Sequence, residues 1–349
     1  MGHTNSLLEQ IREQHKADAA VLAEARVRRD AVFDAARAVS GVLRTFSSGS
    51  IAHETVNDPV IDADGGVVLD RRFYPPLGPD GSGVGPIEIV HNVAAAVRAE
   101  VGIRYAGLTI RITKRAIEVS CHEPMEVAGS PVPQQDPSVD LIVGLTRAEK
   151  PGLWIPNTEL GSWDPSDPEA HTALFLQGDH ELRRTRRRAI RLSKLMHRQY
   201  GDPLPITSFN QEAIGHEAVL DGMTIAEALL AICERGAAQL AAGLTPDPAG
   251  VSPPLKCPNP FLASQRYRTS ADHLRRALAN DTNVDVVRAE LEAIFFLLAP
   301  VDTSSKARLA ATLRGAVSVS FGASGLGLQT AARGVNLKPV RSYGDTVAP

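Results

Sequence analysis

The chain has 349 residues, of which 43% are hydrophobic and 22% charged, the ordinary composition of a globular protein with one large domain or two smaller ones. Its 37 lysine and arginine residues nearly balance its 40 aspartate and glutamate residues, so the net charge of −3 excludes an overall basic surface for nucleic acid or a membrane. The three cysteines share no CxxC spacing, which argues against a disulfide scaffold or a structural zinc site. Because there is no signal-peptide pattern and no run of about 18 apolar residues, we expect a cytoplasmic protein without a membrane span.

The first element in chain order is helical. Strong helix formers with interleaved apolar residues predict one long amphipathic helix, or two with a kink, over residues 6–40. The pattern then changes to short apolar runs, which predict four strands, at residues 65–70, 108–114, 116–121 and 139–145. Between the first two strands, the Pro- and Gly-rich residues 75–86 predict a loop, and residues 87–100 predict a helix. Residues 1–150 are therefore predicted to combine helices with a sheet.

The second half of the chain has a different pattern. Beyond Trp154 the strand pattern stops, and Pro-rich turns alternate with stretches rich in Ala and Leu. These stretches predict six helices, at residues 169–200, 208–219, 224–242, 264–280, 283–298 and 303–320. We therefore expect an all-helical domain over residues 151–321 and a flexible tail over residues 322–349. Gly325 and Gly327 lack the third glycine and the flanking elements of a dinucleotide turn, and we interpret them as linker glycines.

Residues 49–64, GSIAHETVNDPVIDAD, place a Gly-Ser pair in front of two aspartates and an apolar strand. Because side chains alternate along a strand, Asp62 and Asp64 are expected on the same face. Two like charges held so close favour a bound cation, and carboxylate oxygens are ligands that Mg²⁺ prefers. Gly49 lets the backbone approach a phosphate, and the Ser50 hydroxyl can donate to its oxygens. The alternative is that both aspartates are turn residues after the preceding Asn-Asp-Pro sequence.

The complete order, Gly-Ser, eleven residues, Asp-x-Asp and then a strand, resembles the nucleotidyltransferase superfamily of the DNA polymerase β type. The resemblance implies a third carboxylate on a nearby strand, which binds the catalytic metal and helps to activate the attacking hydroxyl. Asp140, at the start of the apolar segment SVDLIVGL, is the best candidate, and Glu118 in AIEVSC is the alternative. The resemblance thus implies two Mg²⁺ ions, or Mn²⁺, held by Asp62, Asp64 and Asp140.

Further motifs resemble the CD-NTase family, the bacterial oligonucleotide cyclases related to cyclic GMP-AMP synthase. Residues 151–172 contain a Trp-Ile-Pro, a Gly-x-Trp and a Pro-x-x-His like those of the family. Residues 188–214 resemble its spine helix and the segment that follows. By this resemblance Lys194 would contact nucleotide phosphates, whereas Ser208 is either a helix N-cap or a contact to the base. The matches cover roughly residues 45–260.

The family resemblance implies an α+β fold, with a polymerase-β-type nucleotidyltransferase core and an all-helical C-terminal domain. It implies an enzyme that joins NTPs, ATP or GTP or both, into a cyclic di- or trinucleotide. That product would activate a separate effector in anti-phage defence. We expect a monomer whose tail is compatible with conjugation to other molecules, as in some relatives. One departure is that Glu54 stands where relatives often carry a glycine in the nucleotide loop.

Two other functions are compatible with the same residues. A nucleotidyltransferase toxin that modifies tRNA or a protein would keep the fold and use the arginines of residues 183–191 for docking. A non-catalytic nucleotide sensor would have no need of a third metal ligand, so Asp140 counts against it. The arginine run is otherwise interpreted as a solvated helix face.

Overall fold

The computed structural model describes residues 2–130, 132–201 and 203–296. The predicted helix at 303–320 and the predicted tail at 322–349, with its two linker glycines, lie outside these residues. None of the helices described is long and apolar enough to span a membrane.

Two helices precede the sheet, α1 (His3–Gln14) and α2 (Ala19–Arg37). Asp18 starts the second one, because its carboxylate accepts hydrogen bonds from two backbone N–H groups of the first turn. The chain therefore adopts the two-helix alternative. The two helices belong to different cores: α2 packs on the sheet, whereas α1 packs in the helical half. The α1 side chains in that second core are Leu7, Leu8 and Ile11.

A seven-stranded mixed sheet follows. The elements of this half are β1 (Val42–Ser48), α3 (Gly49–Ala52), β2 (Asp62–Leu69), α4 (Ile87–Arg104), β3 (Thr109–Ile112), β4 (Ile117–Ser120), β5 (Met125–Glu126), β6 (Gln134–Gln135), β7 (Ser138–Thr146), β8 (Leu153–Asn157) and β9 (Ser162–Ser166). The strand order is β1-β2-β7-β4-β3, with β8 and then β9 added at β7, and β5 and β6 form a separate two-stranded sheet. Strands β2 and β7 are parallel to each other, and every other pairing is antiparallel. Apolar side chains of α2 and α4 form one core with the central strands.

Six helices follow the sheet in the described residues. They are α5 (Pro168–Phe175), α6 (His180–Arg198), α7 (Ser208–Ala218), α8 (Ile225–Ala241), α9 (Pro260–Ala279) and α10 (Val284–Ile294). A second hydrophobic core joins them. The predicted helix at 169–200 is two helices, because Gly178 adopts φ +97° and Asp179 caps a new start. The predicted α+β fold with a helical C-terminal region is confirmed.

The expectation that strands stop at Trp154 is wrong. Strands β8 and β9 form a hairpin beyond β7, and each contains a proline, Pro156 and Pro165. Proline cannot donate a ladder hydrogen bond, so a short strand that contains one has the sequence pattern of a turn. Among the described strands β9 pairs with β8 alone, so it is an edge strand, where proline is tolerated. Strand β1, missed in the sequence, forms the opposite edge, and its residues VLRTFSS lack the alternation of apolar and polar residues that indicates a strand.

Candidate active site

Three aspartates meet on the two parallel central strands. Asp62 and Asp64 are two residues apart on β2, and Asp64 lies opposite Asp140 on β7 in the strand register. One carboxylate oxygen from each lies within 4.8 Å of the others. Asp64 and Asp140 are buried, with 4% and 8% exposure, whereas Asp62 is half-buried. The expected same-face placement of the acidic pair is observed, and the third acid joins it from the neighbouring strand.

Glu118, the alternative third acid, lies outside this group. It stands opposite Asp140 on β4. Its carboxylate accepts a hydrogen bond of 2.5 Å from the guanidinium of Arg111 on the edge strand β3. The structure thus brings together Asp62, Asp64 and Asp140 and leaves Glu118 engaged beside them.

The electrostatics of the group suit a hard divalent cation. Burial raises the pKa of Asp62 to about 6, although the nearby Lys194 and Arg198 oppose the shift. Three carboxylates so close together carry like charges that a cation would neutralise, and all three offer oxygen ligands. The residues therefore fit Mg²⁺, or Mn²⁺ in its place.

We expect Mg²⁺ to raise the Tm at about pH 7.5 and to lose this effect below about pH 6. The pKa of Asp62 in the folded chain is about 6, above its ordinary value of 3.8. Below about pH 6 this carboxylate therefore carries a proton that a metal must displace. The apparent affinity should therefore fall by about tenfold per pH unit below pH 6. Without metal, the effect of pH on stability has the opposite sign. The contribution of Asp62 to stability then increases as the pH falls from about 6 towards 4.

Differential scanning fluorimetry with and without Mg²⁺ checks this prediction. Asp62→Asn serves as the control, because it removes the titrating carboxylate and should remove most of the Mg²⁺ effect at every pH. A Mg²⁺ effect of equal size from about pH 7.5 to pH 5 in the unmodified chain would contradict the metal assignment.

Gly49 and Ser50 form the first turn of the short helix α3, which follows β1 and lies directly against the acids. Gly49 has φ +68°, in the left-handed region that favours glycine. A Cβ at this position would lie 1.8 Å from Asp64 Oδ2. The backbone of the turn therefore touches the acidic group, and no residue larger than glycine fits without moving Asp64. Ser50 is half-buried beside it.

Lys194 lies on α6 and is nearly enclosed, with 5% exposure. Its ammonium group donates hydrogen bonds of 2.6 Å to Glu212 Oε1 and 3.0 Å to Thr55 Oγ1. Its positive charge opposes part of the rise in the pKa of Asp62. Glu212 was not singled out in the sequence as a site residue, since 18 residues separate it from Lys194 and no local pattern links the two.

Ser208 does not cap its helix. Thr207 is the N-cap of α7, with its hydroxyl accepting a hydrogen bond of 3.1 Å from the backbone N–H of Asn210. The N-cap alternative for Ser208 is therefore wrong by one residue, because two adjacent hydroxyl residues give the same sequence signal. Ser208 is the first helical residue and is half-buried.

Glu54, which stands where relatives often carry a glycine, adopts a backbone conformation typical of glycine. Glu54 has φ +56°, a conformation that costs a non-glycine residue free energy. Its carboxylate pairs with Arg187 of α6. Two more cations of the arginine run also have acidic partners, Arg184 with Glu181 and Arg188 with Glu9. Much of the positive charge of this helix is therefore neutralised within the described residues.

The sequence matches no protein-family model and no curated protein. Solved structures match nearly the whole fold. The CD-NTase CdnG of Bradyrhizobium diazoefficiens in complex with GTP has a TM-score of 0.59 and 15% identity, covering 83% of this chain and 98% of that chain. E. coli MS115-1 CdnC with ATP has a TM-score of 0.58 and 14% identity, covering 86% of this chain and 99% of that chain.

A third structure is a Vibrio cholerae enzyme. The DncV cyclic AMP-GMP synthase in complex with the linear intermediate pppA(3′,5′)pG gives a TM-score of 0.55 and 13% identity, covering 86% of this chain and 87% of that chain. At these identities the likeness bears on the fold. The chain has the CD-NTase fold, as its sequence motifs predict.

Proposed function

We propose that this chain is a metal-dependent nucleotidyltransferase that joins NTPs and closes them into a cyclic di- or trinucleotide. The observation that carries the proposal is the group of three aspartates packed directly against the Gly49-Ser50 turn. Such a site suits phosphoryl transfer, which depends on positioning and charge neutralisation rather than on a covalent nucleophile. The CD-NTase fold supports the same reaction class.

Each residue has a distinct role in this proposal. Asp62 and Asp64 would hold two Mg²⁺ ions, and Asp140 would complete one of the two sites. The backbone N–H and hydroxyl groups of the Gly49-Ser50 turn would donate to triphosphate oxygens. When bound, the metal ions would neutralise charge on the triphosphate and acidify the attacking 3′- or 2′-hydroxyl. Asp140 would help to remove the proton of that hydroxyl.

ATP and GTP are the proposed substrates, because the similar structures hold GTP, ATP and a linear pppA(3′,5′)pG intermediate. We further propose that the product activates a separate effector in anti-phage defence, and that the enzyme acts in the cytoplasm as a monomer. The tail at 322–349 would be the segment available for conjugation.

The test is to incubate the purified chain with all four NTPs and Mg²⁺ or Mn²⁺, and then with phosphatase. Mass spectrometry should detect a resistant cyclic product that is missing from Asp62→Ala/Asp64→Ala. If neither protein gives a product, the assay is repeated with cellular RNA and lysate. Labelled RNA or protein without any cyclic product would contradict the cyclase and favour the toxin alternative.

A further inference from the structure

A buried polar network surrounds the carboxylate of Glu212 on α7. Glu212 Oε1 accepts hydrogen bonds from Lys194 Nζ, at 2.6 Å, and from the hydroxyl of Thr55. Its Oε2 lies 2.9 Å from His53 Nδ1. The other ring nitrogen of His53 lies 3.0 Å from the hydroxyl of Thr172 on α5. The carboxylate of Glu212 thus joins residues 53–55 to the helices α5, α6 and α7 of the other half.

This network is almost free of solvent. Glu212 has 1% exposure, His53 3% and Thr55 none. The His53 ring also stacks on Phe175, with 4.5 Å between ring centroids. Burial would raise the pKa of Glu212, but Lys194 and His53 lower it well below its usual range, so the carboxylate is ionised.

A buried ion pair needs a reason other than stability. Apolar side chains of similar volume often stabilise a core as well as a buried ion pair does, because taking charges out of water is costly. What the ion pair provides is a fixed geometry for the groups that it holds. The structure indicates which groups these are.

The network holds the backbone of the Gly49-Ser50 turn. The backbone N–H of His53 donates to the carbonyl of Gly49 at 3.0 Å, and that of Thr55 donates to the carbonyl of Ser50 at 2.9 Å. The side chains of His53 and Thr55 are the same two that bind Glu212. A shift of Glu212 would therefore pass through one residue to the turn that touches Asp64.

The network also fixes the direction of Lys194. An ammonium group has three N–H donors, and within the described residues Glu212 and Thr55 take two of them. In the proposed function the third would donate to the triphosphate. With two donors held, the third has a fixed direction, which would pre-organise Lys194 for a bound anion.

We infer that Glu212 is a positioning residue, which sets Lys194 and the Gly49-Ser50 turn for a nucleoside triphosphate. This inference rests on the proposed function. The hydrogen bonds of Glu212 within the described residues go to His53, Thr55 and Lys194, and none goes to the three aspartates. Its effect reaches the triphosphate through Lys194, His53 and Thr55.

Binding of ATP, and separately of GTP, in the presence of Ca²⁺ tests the inference by calorimetry without requiring turnover. Glu212→Gln should weaken binding by about 10- to 100-fold, the usual effect of losing a charge-assisted interaction. Because that variant leaves Lys194 buried without its counter-charge, it could fail to fold. Two milder variants therefore accompany it: Thr55→Val keeps the shape and removes the hydroxyl, and His53→Phe keeps the stacking on Phe175.

Tyr267→Phe is the matched control. It removes a buried hydrogen bond of 3.0 Å to Ser193, the neighbour of Lys194 on α6, but touches no part of the network. Binding by this control should stay within about twofold of the unmodified chain. Where product forms, the network variants should raise KM more than they lower kcat, because the ground-state hold on the triphosphate is what they lose.

Three outcomes would overturn the inference. Folded network variants that bind ATP and GTP like the unmodified chain would contradict the positioning role alone. Equal weakening in Tyr267→Phe would mean that binding follows general stability instead. An unmodified chain that binds neither nucleotide would contradict the proposed function, and the inference with it.

Discussion

Asp64→Asn is expected to reduce product formation by at least about a thousandfold while the protein stays folded. Asparagine keeps the size of the side chain and removes the charge that would hold a metal ion between β2 and β7. It also removes one of two like charges that repel each other, because Asp64 stands opposite Asp140 in the strand register. The Tm without metal should therefore change little or rise. Product by mass spectrometry and Tm by fluorimetry are the two measurements.

The third acid is tested by a pair of variants on neighbouring strands. Asp140→Asn should abolish product formation as Asp64→Asn does. Glu118→Gln should retain most of the activity, because Glu118 is held by Arg111 outside the group of acids. If Glu118→Gln lost activity and Asp140→Asn retained it, Glu118 would be the third acid instead of Asp140. Product formation near the unmodified level in Asp64→Ala would contradict the metal assignment as a whole.

The acidic pair could be predicted from the sequence because its geometry is local. Two residues at positions i and i+2 of a strand share a face in any sheet, so Asp62 and Asp64 needed no knowledge of the fold. Asp140 is different. It reaches the pair through the parallel pairing of β2 with β7, across more than 70 residues of chain, and only the family resemblance predicted which acid would arrive there.

The positioning network shows where sequence patterns end. His53, Lys194 and Glu212 come from three separate elements, and nothing in their spacing relates them. Local rules also fail where two residues give the same signal, as at Thr207 and Ser208. The hairpin of β8 and β9 was missed for a third reason: each strand contains a proline, and a short strand with a proline has the sequence pattern of a turn. Each failure concerns information that exists only after the chain has folded.

Gly49→Ala is expected to abolish activity almost as completely as the loss of an acid. The new methyl group would stand 1.8 Å from Asp64 Oδ2, so either the turn or the carboxylate must move. A displaced Asp64 weakens the metal site, and a displaced turn misplaces the donors for the triphosphate. The substitution also forces alanine to φ +68°, which alone costs about 1–2 kcal/mol of stability.

Gly222→Ala separates these two effects. Gly222 has φ +78° in an exposed turn, and nothing lies within 4 Å of the position that a Cβ would take. It therefore carries the same backbone cost as Gly49→Ala without the collision. Both variants should lower Tm, but only Gly49→Ala should lose product formation and the stabilisation by Mg²⁺. If Gly49→Ala kept both, the turn would have room to move away from Asp64, and its close approach to the acids could not be what grips the triphosphate.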